Sequence, residues 1–105
     1  MATILTQTII TPKNIKRYWL TKVEKNEADS QERKAQLNSL MNNKCTYDVT
    51  TTVLEDGTVS IVMTHVWTNA EDCDTYLTWW SQFDTERYAY HSANGQTYSL
   101  TRTDE

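Results

Sequence analysis

Apolar and polar residues alternate most clearly between Cys45 and Trp67, where two runs flank Glu55-Asp56-Gly57. The alternation fixes a register. A two-residue loop at Asp56-Gly57 sets Val53 against Ser60 and Val49 against Thr64, apolar against polar throughout. A three-residue loop sets Val53 against Val59, Thr51 against Ile61, Val49 against Met63, Tyr47 against His65 and Cys45 against Trp67. Only the second gives one coherent apolar face, because a one-residue slip turns every side chain of a strand over. Gly57 then takes the left-handed position that such a loop needs. The other face carries Asp48, Thr50 and Thr52 on one strand and Ser60, Val62, Thr64 and Val66 on the other, half-polar and short of charge.

The remaining elements follow from period and punctuation. Thr3 to Ile10 is rich in β-branched residues and reads as a strand. Pro12 suits the first position of a helix capped by Thr11. Ile15, Tyr18, Trp19 and Val23 share one helical face, so residues 12–25 read as a helix; the β-favouring run Tyr18 to Val23 leaves a strand open as the rival. Ser30 to Asn43 reads as a second helix with Leu37, Leu40 and Met41 as its face. Thr68 and Glu71 have the spacing of a capping box, which starts a helix whose buried stripe is Cys73, Tyr76, Leu77, Trp80 and Phe83. Asn94-Gly95 is a two-residue hairpin signal that pairs His91 with Tyr98 and Ala89 with Leu100. The order is βαββαβ with an extra short helix and a C-terminal hairpin. This predicts an α+β, ferredoxin-like antiparallel sheet with its helices on one face, and 105 residues make one domain of it.

Composition narrows the function more than it identifies it. A formal charge of -4 argues against a general nucleic-acid binder, which needs a basic face. Early lysines and arginines (Lys13, Lys16, Arg17, Lys22, Lys25) and late acids (Glu71, Asp72, Asp74, Asp84, Glu86) give either two solvated faces or head-to-tail complementarity between subunits. Cys45 and Cys73 form no metal knuckle, and two thiols without a leader point to the reducing cytoplasm. No apolar run approaches the roughly 20 residues of a membrane span, so neither a membrane nor a nucleic acid is an expected partner.

The segment "VWTNAEDCDTYLTWW", a strand ending in Trp followed by a capped helix with a later aromatic, resembles the dimeric α+β barrel proteins, and among them the antibiotic-biosynthesis-monooxygenase-like branch. "NNKCTYDVTTTV" is similar to that family's second strand. The resemblance implies a ferredoxin-like fold, two subunits packed sheet against sheet, and a pocket between each sheet and its helices. Some members oxidise polyketides without a cofactor; others degrade haem through a histidine on the helix. Here the matching positions are Tyr76 and Leu77, and Gln7 stands nearest to the family's first-strand asparagine. Haem chemistry is therefore not carried over, and no cofactor is expected.

The candidate chemistry is sparse. His65 opposite Tyr47 is either a proton shuttle or a core histidine bonded to a tyrosine hydroxyl. His91, opposite Tyr98 near a hairpin tip, reads as solvated. Neither histidine has a cysteine or carboxylate at metal-binding spacing, so no metal is expected. Tyr47, His65, Trp67, Tyr76 and Trp80 are the candidate pocket. Trp80 belongs to the core stripe, whereas Trp79 lies off it and reads as an interface residue. Together with Val62, Thr64 and Val66 it makes the candidate interface of a homodimer. The chain thus reads as a small cytoplasmic homodimeric domain of unknown function, non-catalytic and acting through association. The alternative is a small-molecule binder or cofactor-independent oxygenase.

Overall fold

A computed structural model describes residues 2–18 and 28–105. Strand β1 (Thr3–Thr11) is followed by helix α1 (Ala28–Met41), the hairpin β2 (Cys45–Val53) and β3 (Val59–Trp67), helices α2 (Ala70–Ser81) and α3 (Asp84–Ala93), and strand β4 (Thr97–Asp104). The four strands form one antiparallel sheet in the order β2-β3-β1-β4. This is the α+β, ferredoxin-like arrangement. Among the described residues, no helix is long and apolar enough to cross a membrane.

The hairpin has the register that its alternation predicts. Val49 pairs with Met63, Tyr47 with His65 and Cys45 with Trp67. The Leu54 N–H donates to the Thr58 carbonyl at 2.8 Å, which leaves Glu55-Asp56-Gly57 as the loop, and Gly57 has φ 87°. Asp56 stiffens the turn by accepting from the Thr58 backbone N–H and hydroxyl at 2.9 and 2.6 Å.

Burial alternates along β1, and the odd positions Thr3, Leu5, Gln7, Ile9 and Thr11 face the helices. The core gathers Leu5, Trp67, Cys73 and Tyr76, with Leu37 and Met41 of α1 packed against it. The predicted α2 stripe holds: Cys73, Tyr76 and Phe83 are buried, and Leu77 and Trp80 pack on the core.

Three expectations are corrected. Residues 12–17 are not helical: Pro12–Arg17 turns, with Asn14 at φ 71°. The Lys16 carbonyl there accepts from the Tyr90 hydroxyl at 2.5 Å and the Gln96 amide at 3.1 Å, so tertiary bonds take a group that a helix would use internally. The predicted span from 19 to 25 lies outside the described residues. Second, α2 is capped by Asn69 and not Thr68. The Asn69 side chain accepts from the Asp72 N–H at 2.9 Å, while the Thr68 N–H closes onto the Lys44 carbonyl at 3.0 Å.

Third, the C-terminal hairpin is absent. Residues 84–93 are helix α3, and β4 pairs with β1, setting Tyr98 opposite Ile9 and Leu100 opposite Gln7. Asn94-Gly95 is a helix C-cap: Gly95 takes φ 64°, and the Gln96 N–H reaches back to the His91 carbonyl at 2.9 Å. A hairpin turn and this cap both need a left-handed glycine, so the dipeptide alone does not distinguish them.

Candidate functional site

The helix-facing side of the sheet does not close completely under the helices. Between them lies a cavity of about 800 Å³. Its floor is built by the sheet: Gln7 and Ile9 from β1, Met63 and His65 from β3, and Tyr47 and Tyr98 from the two edges. Tyr76 and Trp80 enter from α2 and Arg87 and His91 from α3, each pair four residues apart and therefore on one helical face. Leu37, Asn38, Ser39, Met41 and Asn42 from α1 and its end, Cys45 of β2, and Arg17 and Tyr18 after β1 complete the wall among the described residues.

The sheet register makes a polar relay across this floor. The Tyr98 hydroxyl donates to Gln7 Oε1 at 3.3 Å, and Gln7 Nε2 donates to the Tyr76 hydroxyl at 3.4 Å. Tyr76 accepts at its oxygen and keeps its own proton for a further acceptor. Burial pushes both phenols above their ordinary range, so they stay protonated donors at neutral pH.

His65 is 2% exposed and sits among aromatic rings. Its centroid is 5.0 Å from Tyr47, 5.1 Å from Tyr76 and 6.1 Å from Trp67. The tyrosine hydrogen bond expected of a core histidine is missing: Nδ1 is buried without a partner among the described residues. Desolvation lowers the imidazole to about 4, so it is neutral at physiological pH. His91 is likewise buried and not solvated, because α3 carries it inward where a hairpin tip would have exposed it. Its ring lies 5.5 Å from Tyr98, and its Nδ1 has no partner among the described residues. Burial and then the nearby Arg87 charge hold its pKa down.

Arg87 lies over the Tyr98 ring at 4.8 Å and the Tyr88 ring at 5.2 Å, and bonds Asp84 at 3.0 Å; its Nε is buried and unpartnered among the described residues. Both cysteines are free, and burial raises both thiols, which keeps them protonated and poor nucleophiles.

Four of the five expected pocket residues, Tyr47, His65, Tyr76 and Trp80, line the cavity. Trp67 does not: it is fully buried beneath His65 and Tyr76, as core. Of the expected interface residues, Val62, Thr64 and Val66 share the sheet face opposite the helices, which no helix covers among the described residues. Trp79 lies in the helix layer, where its indole N–H donates to Gln36 of α1 at 3.0 Å and its ring packs edge-on to Trp80. Sequence reasoning missed Gln7, Arg87, His91 and Tyr98 as a group. Phe83, Arg87 and His91 recur every four residues, a helical signal that the Asn-Gly hairpin reading overrode.

No protein-family model matches the chain, and no curated protein matches it in sequence. Solved structures share its fold. One is a crystal structure of a dimeric ferredoxin-like protein from an uncultured marine organism, with a TM-score of 0.58 and 7% identity over 98% of this chain and 94% of that one. Another is the de novo designed protein Foldit4, with a TM-score of 0.56 and 12% identity over 100% of this chain and 99% of that one. The likeness extends to the fold alone: a small α+β domain of ferredoxin-like type.

Proposed function

We propose that this chain is a small-molecule-binding domain that works as a homodimer. The cavity carries the first part of that reading. A half-open cavity of about 800 Å³ falls within the range of ligand sites, and it combines aromatic walls with a few convergent polar groups. Buried polar atoms without partners are costly, and His65 and His91, which each carry one among the described residues, both line this space. A ligand supplies the missing partners. The reading is tested with N-phenyl-1-naphthylamine, a neutral aromatic whose fluorescence rises on burial. One probe per chain should bind at micromolar concentration, and Met63→Trp, which fills the floor, should displace it without lowering the melting temperature. Absence of binding to the folded protein overturns the reading. A cofactor-free oxygenase of the dimeric α+β barrel type, which the Trp67-to-Trp80 segment resembles, is the catalytic extension of the same proposal, with neutral His65 beside the bound compound.

The open sheet face supports the second part. Thr6, Thr8, Val62 and Thr64 form its centre, and the outer strands add Thr50, Thr52 and Thr101. Asp48 is the only charged residue that the four strands place there among the described residues. A permanently wet face would carry lysine, glutamate and arginine. Small β-branched residues instead suit a second sheet about 10 Å away across a two-fold axis. The fold neighbour described as dimeric agrees with this. Light scattering after size exclusion should give twice the 12.2 kDa chain mass, and Val62→Lys should give the monomer. A parent protein that elutes as a monomer at micromolar concentration sinks the dimer.

A further inference from the structure

We infer that the cavity selects an anionic aromatic ligand, a planar compound carrying a carboxylate or an equivalent acid group. The inference rests on the small-molecule reading above and adds the charge of the ligand to it.

The cavity is an exception to the electrostatics of its own chain. The protein carries a formal charge of -4. Yet the charged side chains lining the cavity are Arg17 and Arg87, and no aspartate or glutamate lines it among the described residues. Asp84 bonds one terminal nitrogen of Arg87 at 3.0 Å from a half-exposed position outside the cavity lining. Glu86 stands near the Tyr18 hydroxyl and is also absent from the lining. Arg17 directs a guanidinium nitrogen to Met63 Sδ at 3.0 Å, a weak acceptor for a cation.

Two donors left over in the lining can serve the acid group. The relay from Tyr98 through Gln7 to Tyr76 consumes the Gln7 amide at both ends and leaves Tyr76 with a free O–H donor. The Arg87 Nε–H is a donor without an acceptor among the described residues. Each neutral histidine offers one N–H donor and one acceptor, so it serves a ligand of either polarity. Asn38, Ser39 and Asn42 of the lining both donate and accept, so the net charge of the lining, two arginines and no carboxylate among the described residues, is what makes the cavity complementary to an anion. Charge-assisted hydrogen bonds from arginine to an acid group are the strong kind. The rings of Tyr47, Tyr76, Trp80 and Tyr98 in the lining give an aromatic ligand body apolar faces to pack against.

The experiment compares two probes with nearly the same aromatic frame: 8-anilinonaphthalene-1-sulfonate, which carries an acid group, and neutral N-phenyl-1-naphthylamine. An uncharged apolar cavity prefers the neutral probe, since the sulfonate must give up its hydration. The inference expects the sulfonate to bind about tenfold tighter, equivalent to about 1.4 kcal/mol, at one probe per chain. Arg17→Gln and Arg87→Gln should each weaken the sulfonate more than the neutral probe, and circular dichroism shows whether the variants are folded. If Arg87→Gln fails to fold, Arg17→Gln and the two-probe comparison on the parent still decide. Equal binding of the two probes, tighter binding of the neutral one, or a sulfonate preference that survives the Arg17 substitution overturns the inference and leaves small-molecule binding intact. Failure of both probes to bind removes the binding reading itself.

Discussion

Trp67→Ala is expected to cost about 3–5 kcal/mol, which is most or all of the stability of a domain this size. Trp67 is fully buried at the end of β3. Its ring lies 5.1 Å from Tyr76 and 6.1 Å from His65, so truncation opens a void directly under the candidate cavity. The void cannot collapse easily, because β3 is held by β1 and β2 on both sides. Trp67→Phe separates packing from polarity. The indole Nε1–H is buried without a partner among the described residues, and an orphaned donor carries a desolvation cost of about 1–3 kcal/mol. Phenylalanine removes that donor and keeps a ring, so its loss should be under about 2 kcal/mol, with the gain in polarity offsetting part of the lost volume. Urea denaturation of both variants measures the difference. If phenylalanine costs as much as alanine, the indole N–H has a partner and the aromatic floor is held differently.

The hairpin and the last helix show what a sequence of this kind discloses and what it conceals. The β2–β3 register was legible to the residue because period-two alternation and a left-handed glycine make the same demand, and a one-residue slip would set Val49 against Thr64 in place of Met63. The α2 stripe was legible for a similar reason: Cys73, Tyr76 and Leu77 repeat at helical spacing after a capping residue. The cap itself was one residue off, since Thr68 and Asn69 are both good caps and only the tertiary bond from the Thr68 N–H to Lys44 separates them. The stretch from Asp84 to Ala93 was concealed by its tyrosines, which favour strands, and by Asn94-Gly95, whose left-handed glycine serves a helix end as well as a hairpin. That error hid half of the candidate site, because Arg87 and His91 reach the cavity only from a helix. The pocket residues on β2, β3 and α2 were visible because the correct register places them together. Gln7 was not, because its role depends on β4 lying beside β1, a pairing between residues far apart in sequence.

Stability is expected to fall steeply as pH drops from about 6.5 to about 4, with His65 contributing about 3 kcal/mol of the loss. The sign follows from where the proton binds. An unfolded histidine titrates near 6.5, whereas burial holds the folded His65 to about 4. Between those values the unfolded chain takes up a proton that the folded chain refuses, so acid favours unfolding. The contribution is fully present above pH 6.5 and exhausted below about 4. His91, depressed by burial and by Arg87, adds in the same direction. The carboxylates held below their ordinary range act in a lower window: Asp56 through Thr58, and Asp104 through Thr3 and Arg102, lose their contributions only as pH falls through the acid carboxylate range. Denaturation at pH 7.5 and 4.5 therefore isolates the histidines. His65→Phe keeps a ring among Tyr47, Tyr76 and Trp67 but cannot take up a proton, so its stability should change far less between the two pH values than the parent's. A parent that is equally stable at both would show that His65 is solvated and would remove its unmatched nitrogen from the case for a ligand. A steep loss that persists unchanged in His65→Phe would assign the titration to His91, on the opposite wall of the same cavity.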